Sequence, residues 1–198
     1  VGAGASLLGF TLFLCTGMIY ACIKQLQEWA TPLTVINYTL LGSASGFLLA
    51  TAFAAWQGSE LTDFFGGWAI LMTVVAFITR SASLIRNARI KHKSSLETAI
   101  GIRHVRIEQK AQGFMCGSFN TREYFHGASP SLFSLIKWAF LVLVFPVPLV
   151  LVSIGLGAQA FSLLMAAFLA QYLGLLLERW FFFAQANHPQ NLYYQTVS

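Results

Sequence analysis

Long uncharged apolar runs alternate with short polar turns along this chain, and each run has the length of a membrane crossing. Val1 to Ile23 and Leu33 to Trp56 carry no charge, and Phe64 to Ile85 carries only Arg80, near its end. Trp138 to Leu177 is forty residues without a charge, and "SIGLGAQ", Ser153 to Gln159, supplies the small, turn-prone residues that divide it in two. A helix rising about 1.5 Å per residue needs about 20 apolar residues to cross a hydrocarbon core of about 30 Å. Lipid offers no hydrogen bonds to a backbone, so each run is predicted to be a helix. The expectation is an all-α integral membrane fold forming one domain over 1-198. Its five crossings are placed at about 1-23, 33-56, 64-85, 134-154 and 158-184, with a long connection over 86-130 and a tail over 185-198. Pro146 and Pro148 are expected to kink the fourth crossing, and Arg80 to snorkel outward.

Charge then orients the crossings. The connection from Arg86 to Pro130 holds eight basic residues: Arg86, Arg89, Lys91, Lys93, Arg103, Arg106, Lys110 and Arg122. The turns over 57-63 and 155-157 hold none. The positive-inside bias places the long connection in the cytoplasm, and alternation places the tail, and so the C-terminus, there too. The expected location is the bacterial cytoplasmic (inner) membrane. Composition agrees, with 57% hydrophobic residues, 10% charged and a mean hydropathy of +0.66. The net charge of +5 is local to that connection and implies no nucleic-acid partner. The sequence opens at Val1 inside an apolar run with no basic leader and no cleavage signal, so an N-terminal part is expected upstream.

The connection itself divides into two. "NARIKHKSSLETAIGIRHVRIEQK" reads as a basic segment drawn to anionic membrane lipid. "GFMCGSFNTREYFHG", Gly113 to Gly127, combines glycines with aromatic side chains and Arg, the residue types favoured at interface cores. It is read as a docking surface for another protein, with Phe119, Asn120, Arg122, Glu123, Tyr124, Phe125 and His126 as its contacts. The tail "NHPQNLYYQ" adds His188, Tyr193 and Tyr194.

The stretch "TAIGIRHVRIEQKAQGFMCGSFNTREYFHG" followed by "LLLERWFFFAQANHPQNLYYQ" resembles the membrane-anchor subunits of the DMSO reductase family, and more distantly the polysulfide and nitrite reductase anchors. The resemblance covers essentially all of the chain. It implies an eight-helix protein of which these would be the last five helices. It also implies two partners, a catalytic subunit with molybdopterin and an electron-transfer subunit with iron-sulfur clusters, and electron exchange with membrane quinone. A cytoplasmic docking side is similar to the sulfite-oxidising branch, in which sulfite becomes sulfate. The alternative within the family is the anchor of a DMSO or other S- or N-oxide reductase that oxidises menaquinol. A multi-helix transporter is the alternative of another class.

Such an anchor is a non-catalytic subunit, and no catalytic residue is assigned. Quinone contact is assigned to Gln171, Tyr172, Glu178 and Arg179, each weighed against a structural role. Glu178 and Arg179 follow twenty uncharged residues and would reach the headgroup region, with Trp180 to Phe183 as an aromatic belt. The resemblance matches Arg179 to the family's Arg, whose usual Glu lies four residues before it, where this chain has Leu175. Gln171 and Tyr172 suit a quinone carbonyl or interhelical hydrogen bonds equally. No haem is expected in this region, because His92, His104, His126 and His188 all fall outside the apolar runs. No metal site is assigned either, since Cys15, Cys22 and Cys116 lack ligand spacing.

Overall fold

The computed structural model describes residues 2–91, 95–104, 106–107 and 129–187, and the described residues form helices joined by turns. The helices are α1 (Gly2–Ala21), α2 (Pro32–Trp56), α3 (Thr62–Ala88), α4 (Leu96–Ile100), α5 (Pro130–Val144), α6 (Pro146–Gly157) and α7 (Phe161–Ala184). Among the described residues there are five candidate crossings, with α5 and α6 together making the fourth. Each is long and apolar enough to span a bilayer, as the hydropathy pattern requires.

Local chemistry sets the ends. Thr31 caps α2 through its side chain and is followed by Pro32, whose missing N–H costs nothing in the first turn. Ser129 and Pro130 repeat the arrangement at α5, so this crossing begins earlier than the apolar run alone suggests. The kink expected from the prolines is a break at Phe145, between α5 and α6. Pro146 and Pro148 have no N–H to donate four residues back, which leaves the Val142 and Val144 carbonyls without their ordinary helical partners.

Packing is organised around α2 and α7. The α2–α3 contact is the most extensive, α1 packs on α2, and α7 packs on α2, α5 and α6. Ala44, Ala52, Ala69 and Ala76 are each 0–1% exposed. Small residues at these positions let helix backbones approach closely, which is how crossings gain packing energy where burial from water contributes little. Gly174 shows the limit: a Cβ there would stand 2.8 Å from Leu143 Cβ and 2.9 Å from the Leu143 carbonyl carbon. Gly17, which would meet Val35 Cα at 2.9 Å, does the same for α1. Gly17 is also the one buried residue of α1, whose Leu7, Leu8, Leu12 and Ile19 point outward.

The two ends of the bundle differ. At one end the α2–α3 turn meets the α6–α7 turn, with Gln159 Nε2 donating to Asp63 at 3.5 Å. At the other, here called the loop end, the α1–α2 turn folds across α7. Trp29 stacks on Phe182 at 5.0 Å and its indole N–H donates to the Phe182 carbonyl at 3.0 Å. Leu26, Trp29, Phe182 and Ala186 form a buried cluster there. The run Trp180 to Phe183 is therefore not simply an aromatic belt. Phe181 and Phe182 are buried, because the turn covers Phe182 while Phe133 and Phe140 cover Phe181.

Candidate functional site: a buried ion cluster beside an apolar crevice

Two turns inside the loop end, the apolar helices bury two charges, Arg80 and Glu178, and partly bury a third, Arg179. Arg80 lies eight residues before the end of α3, about 12 Å along the axis, and Glu178 lies six before the end of α7. Both helices run toward the loop end, so the two residues come to matching depth. Arg80 Nη2 stands 2.7 Å from Glu178 Oε1, with the side chains 2% and 0% exposed. The expectation that Arg80 snorkels is corrected: it points inward, because a carboxylate at its own level is a better partner than a distant headgroup. The angle of this contact lies outside hydrogen-bond geometry, so the attraction is mainly between charges, and Arg80 Nε has no hydrogen-bond partner among the described residues.

Arg179 completes the cluster. Its Nε donates to Glu178 Oε2 at 2.6 Å, and its Nη2 contacts the same oxygen. Its guanidinium lies 4.1 Å from the centre of the Tyr38 ring and 4.8 Å from that of Phe182, held between aromatic faces on α2 and α7. One carboxylate thus serves two guanidinium groups, both permanently charged. Glu178 is wholly enclosed by the bundle, so its side chain faces other helices and not the bundle's outer surface.

Polar groups from α2 and the α1–α2 turn surround the cluster. Glu28, Thr34, Asn37 and Ser83 line a seam beside Arg80 and Arg179 too narrow to hold a water molecule. Thr34 donates to the Trp29 carbonyl at 2.7 Å, while Asn37 Oδ1 is buried without a partner among the described residues. On the other side of Tyr38 and Arg179 opens an apolar crevice of about 320 Å³, walled by Leu12, Phe13, Thr16, Leu41, Gly42 and Leu175. Tyr38 and Arg179 are the residues common to the polar seam and the apolar crevice.

The four residues assigned to quinone in the sequence do not form one site. Gln171 is buried a turn or two deeper, donating to the Val144 carbonyl at 3.1 Å. That carbonyl is the one Pro148 leaves unserved, so Gln171 supplies from α7 the hydrogen bond that α6 lacks. Tyr172, the next residue, is 49% exposed on the outer surface beside Phe168. Glu178 is enclosed between arginines. Arg179 alone borders an open crevice. Tyr38, Asn37 and Glu28 carry no mark in the sequence that singles them out, and Arg80 has the position of a surface group. The signal available for Arg80 is an acid and a base at equal depth in two crossings of the same direction.

A second crevice, about 620 Å³, separates α3 from α5 and α6, lined by Phe77, Leu84, Leu141 and Phe145 with Ser81 and Lys137 as its polar members. It meets a polar depression of about 470 Å³ at the loop end, where Glu28, Asn87, Lys137 and Gln185 converge. Among the described residues no group of three His, Cys, Asp or Glu side chains comes together as a metal site. The docking residues Phe119, Asn120, Arg122, Glu123, Tyr124, Phe125, His126, His188, Tyr193 and Tyr194 lie outside the described residues.

Comparison with known proteins finds a relative along the whole chain. Over all 198 residues the chain is 52% identical to a sulfite dehydrogenase subunit of Allochromatium vinosum. The chain spans 61% of that relative's length. No family model matches this chain, and no solved structure does.

Proposed function

We propose that this chain belongs to the membrane-anchor subunit of a sulfite-oxidising molybdopterin oxidoreductase linked to membrane quinone. The observation that carries the reading is the 52% identity, sustained along the whole chain, to a sulfite dehydrogenase subunit. The match extends through the connection at 86-130, whose composition is that of a docking surface. It is also what the resemblance to DMSO reductase-family anchors implies for the same residues.

In this reading the loop end faces the cytoplasm, on the strength of its basic residues. It receives an iron-sulfur subunit, which in turn carries the molybdopterin-bearing partner. Sulfite and water yield sulfate, two protons and two electrons on the partners. The electrons pass to a quinone in the membrane, which takes up two protons and becomes quinol. The part played by this chain is to hold the partners, to exclude water from the route, and to present donors where the quinone is reduced. Charged groups buried within spans favour a functional role over pure anchoring, since each must offset a large cost of leaving water.

The test is isolation of the intact complex from membranes through a tag on the full-length protein. Co-elution of molybdenum and iron is expected, together with sulfite-dependent quinone reduction in inverted membrane vesicles. Isolation without metal-bearing partners, or vesicles that turn over another substrate and ignore sulfite, would remove the proposal.

A further inference from the structure

We propose that the crevice between α1, α2 and α7 seats the quinone ring, with the Tyr38 hydroxyl and the Arg179 guanidinium as its hydrogen-bond donors; this rests on the quinone-linked reading above. The crevice, at about 320 Å³, lies at the lower end of the range of about 300–1,000 Å³ usual for small-molecule sites. That is the size for a ring and the start of a tail. Its walls are Leu12, Phe13, Leu41 and Leu175, and its polar groups are Thr16, Tyr38 and Arg179.

An apolar trough with a few convergent donors selects a flat, apolar ligand carrying hydrogen-bond acceptors. A quinone ring has that chemistry, with carbonyl oxygens on an apolar frame. Arg179 is suited to receive it because its guanidinium, at the border of the crevice, is already held in place by Glu178, Tyr38 and Phe182. A donor fixed in this way offers a bond that costs little side-chain entropy. As the ring is reduced its oxygens gain negative charge, and a cluster of two guanidinium groups on one carboxylate favours that change.

The larger crevice beside α3 is a weaker seat. It has more room, but its cation, Lys137, also borders the polar depression at the loop end, and no buried guanidinium lines it. It serves as the control position.

The experiment measures binding of a fluorescent hydroxyquinoline quinone analogue to the purified intact complex, alongside the KM for a short-tailed quinone. Tyr38→Phe removes one hydrogen bond and should weaken the analogue about three- to tenfold. Thr16→Phe fills the crevice and should abolish its binding. Val142→Phe, in the larger crevice, should leave affinity unchanged. Should Thr16→Phe fail to accumulate in membranes, Tyr38→Phe decides alone. Wild-type affinity in the crevice variants, with or without loss in Val142→Phe, would place the ring elsewhere and leave the quinone-linked reading standing. A wild-type complex that binds no analogue and reduces no quinone would overturn both.

Discussion

Arg80 of α3 and Glu178 of α7 meet at 2.7 Å inside the bundle, with no more than 2% of either side chain exposed. The pair is asymmetric, because Glu178 has a second partner in Arg179 and Arg80 has no other carboxylate partner among the described residues. Buried charges are costly when left alone, about 3–5 kcal/mol for a pair broken at one side. The asymmetry therefore has a measurable consequence. Glu178→Gln strands two guanidinium groups and should lower the thermal unfolding temperature of the detergent-solubilised complex by the larger amount. Arg80→Gln leaves Glu178 paired with Arg179 and should cost less. Equal losses, or the reverse order, would mean that the cluster is not organised around the carboxylate.

Gln171 and Pro148 make a second, separable prediction. The Val144 carbonyl lacks a helical donor because Pro148 has no N–H, and the Gln171 amide fills the gap at 3.1 Å. Gln171→Leu should cost about 1–3 kcal/mol, the range for a buried group left unsatisfied. Pro148→Ala restores an N–H at the position that serves Val144 and should reduce that penalty in the double variant. Additive losses in unfolding measurements would rule out the shared carbonyl as the cause.

These two relationships show what the sequence reveals and what it conceals. Five crossings are legible because hydrocarbon thickness fixes a run length, and the runs at 33-56 and 158-184 have almost no competing interpretation. The break near Pro146 is legible because it follows from a missing N–H. Depth along a helix is only partly legible. Arg80 near the end of an apolar run looks like a group that reaches out, and the choice between reaching out and turning inward depends on which helix stands beside it. Neighbour identity is a property of the bundle, set by contacts such as Ala76 and Gly174 that leave no distinctive local pattern. The same limit hides Tyr38, and it explains why Gln171 and Tyr172, adjacent in sequence, serve different surroundings. The aromatic run at 180-183 is ambiguous for a related reason: a belt and a buried stack have the same composition until the α1–α2 turn is placed over it.

Close helix approach gives a prediction with its own control. A Cβ on Gly174 would stand 2.8 Å from Val144 Cγ2 and 2.9 Å from the Leu143 carbonyl carbon, so backbone must move to admit it. Gly174→Ala should separate α7 from α5 and destabilise the protein by about 1–3 kcal/mol, as overpacking does. Gly46, also within a crossing, would place its Cβ in open space. Gly46→Ala should therefore be neutral, or slightly stabilising through helix propensity. Comparable loss for both substitutions in thermal unfolding would show that glycine flexibility, and not close packing, is what Gly174 provides.

The proposed docking role rests on different residues from the ion cluster, and this allows the two to be tested apart. The segment "GFMCGSFNTREYFHG" carries Arg122 and Tyr124, the kinds of side chain that dominate binding energy when an interface buries them. If they hold the iron-sulfur subunit, Arg122→Ala combined with Tyr124→Ala should release the catalytic partners from membranes into the soluble fraction. Loss of two such anchors amounts to about 4 kcal/mol or more where each is a dominant contact, and so to roughly a thousandfold in affinity. Because the substitutions lie in the connection and leave Arg80, Glu178 and Arg179 untouched, the amount of this chain in the membrane should not change. Partners that stay membrane-bound while their attachment to vesicles of anionic lipid falls would assign the segment to the lipid surface. Partners that stay bound with no change in either measurement would move the docking surface to the tail, where His188, Tyr193 and Tyr194 are the next residues to replace.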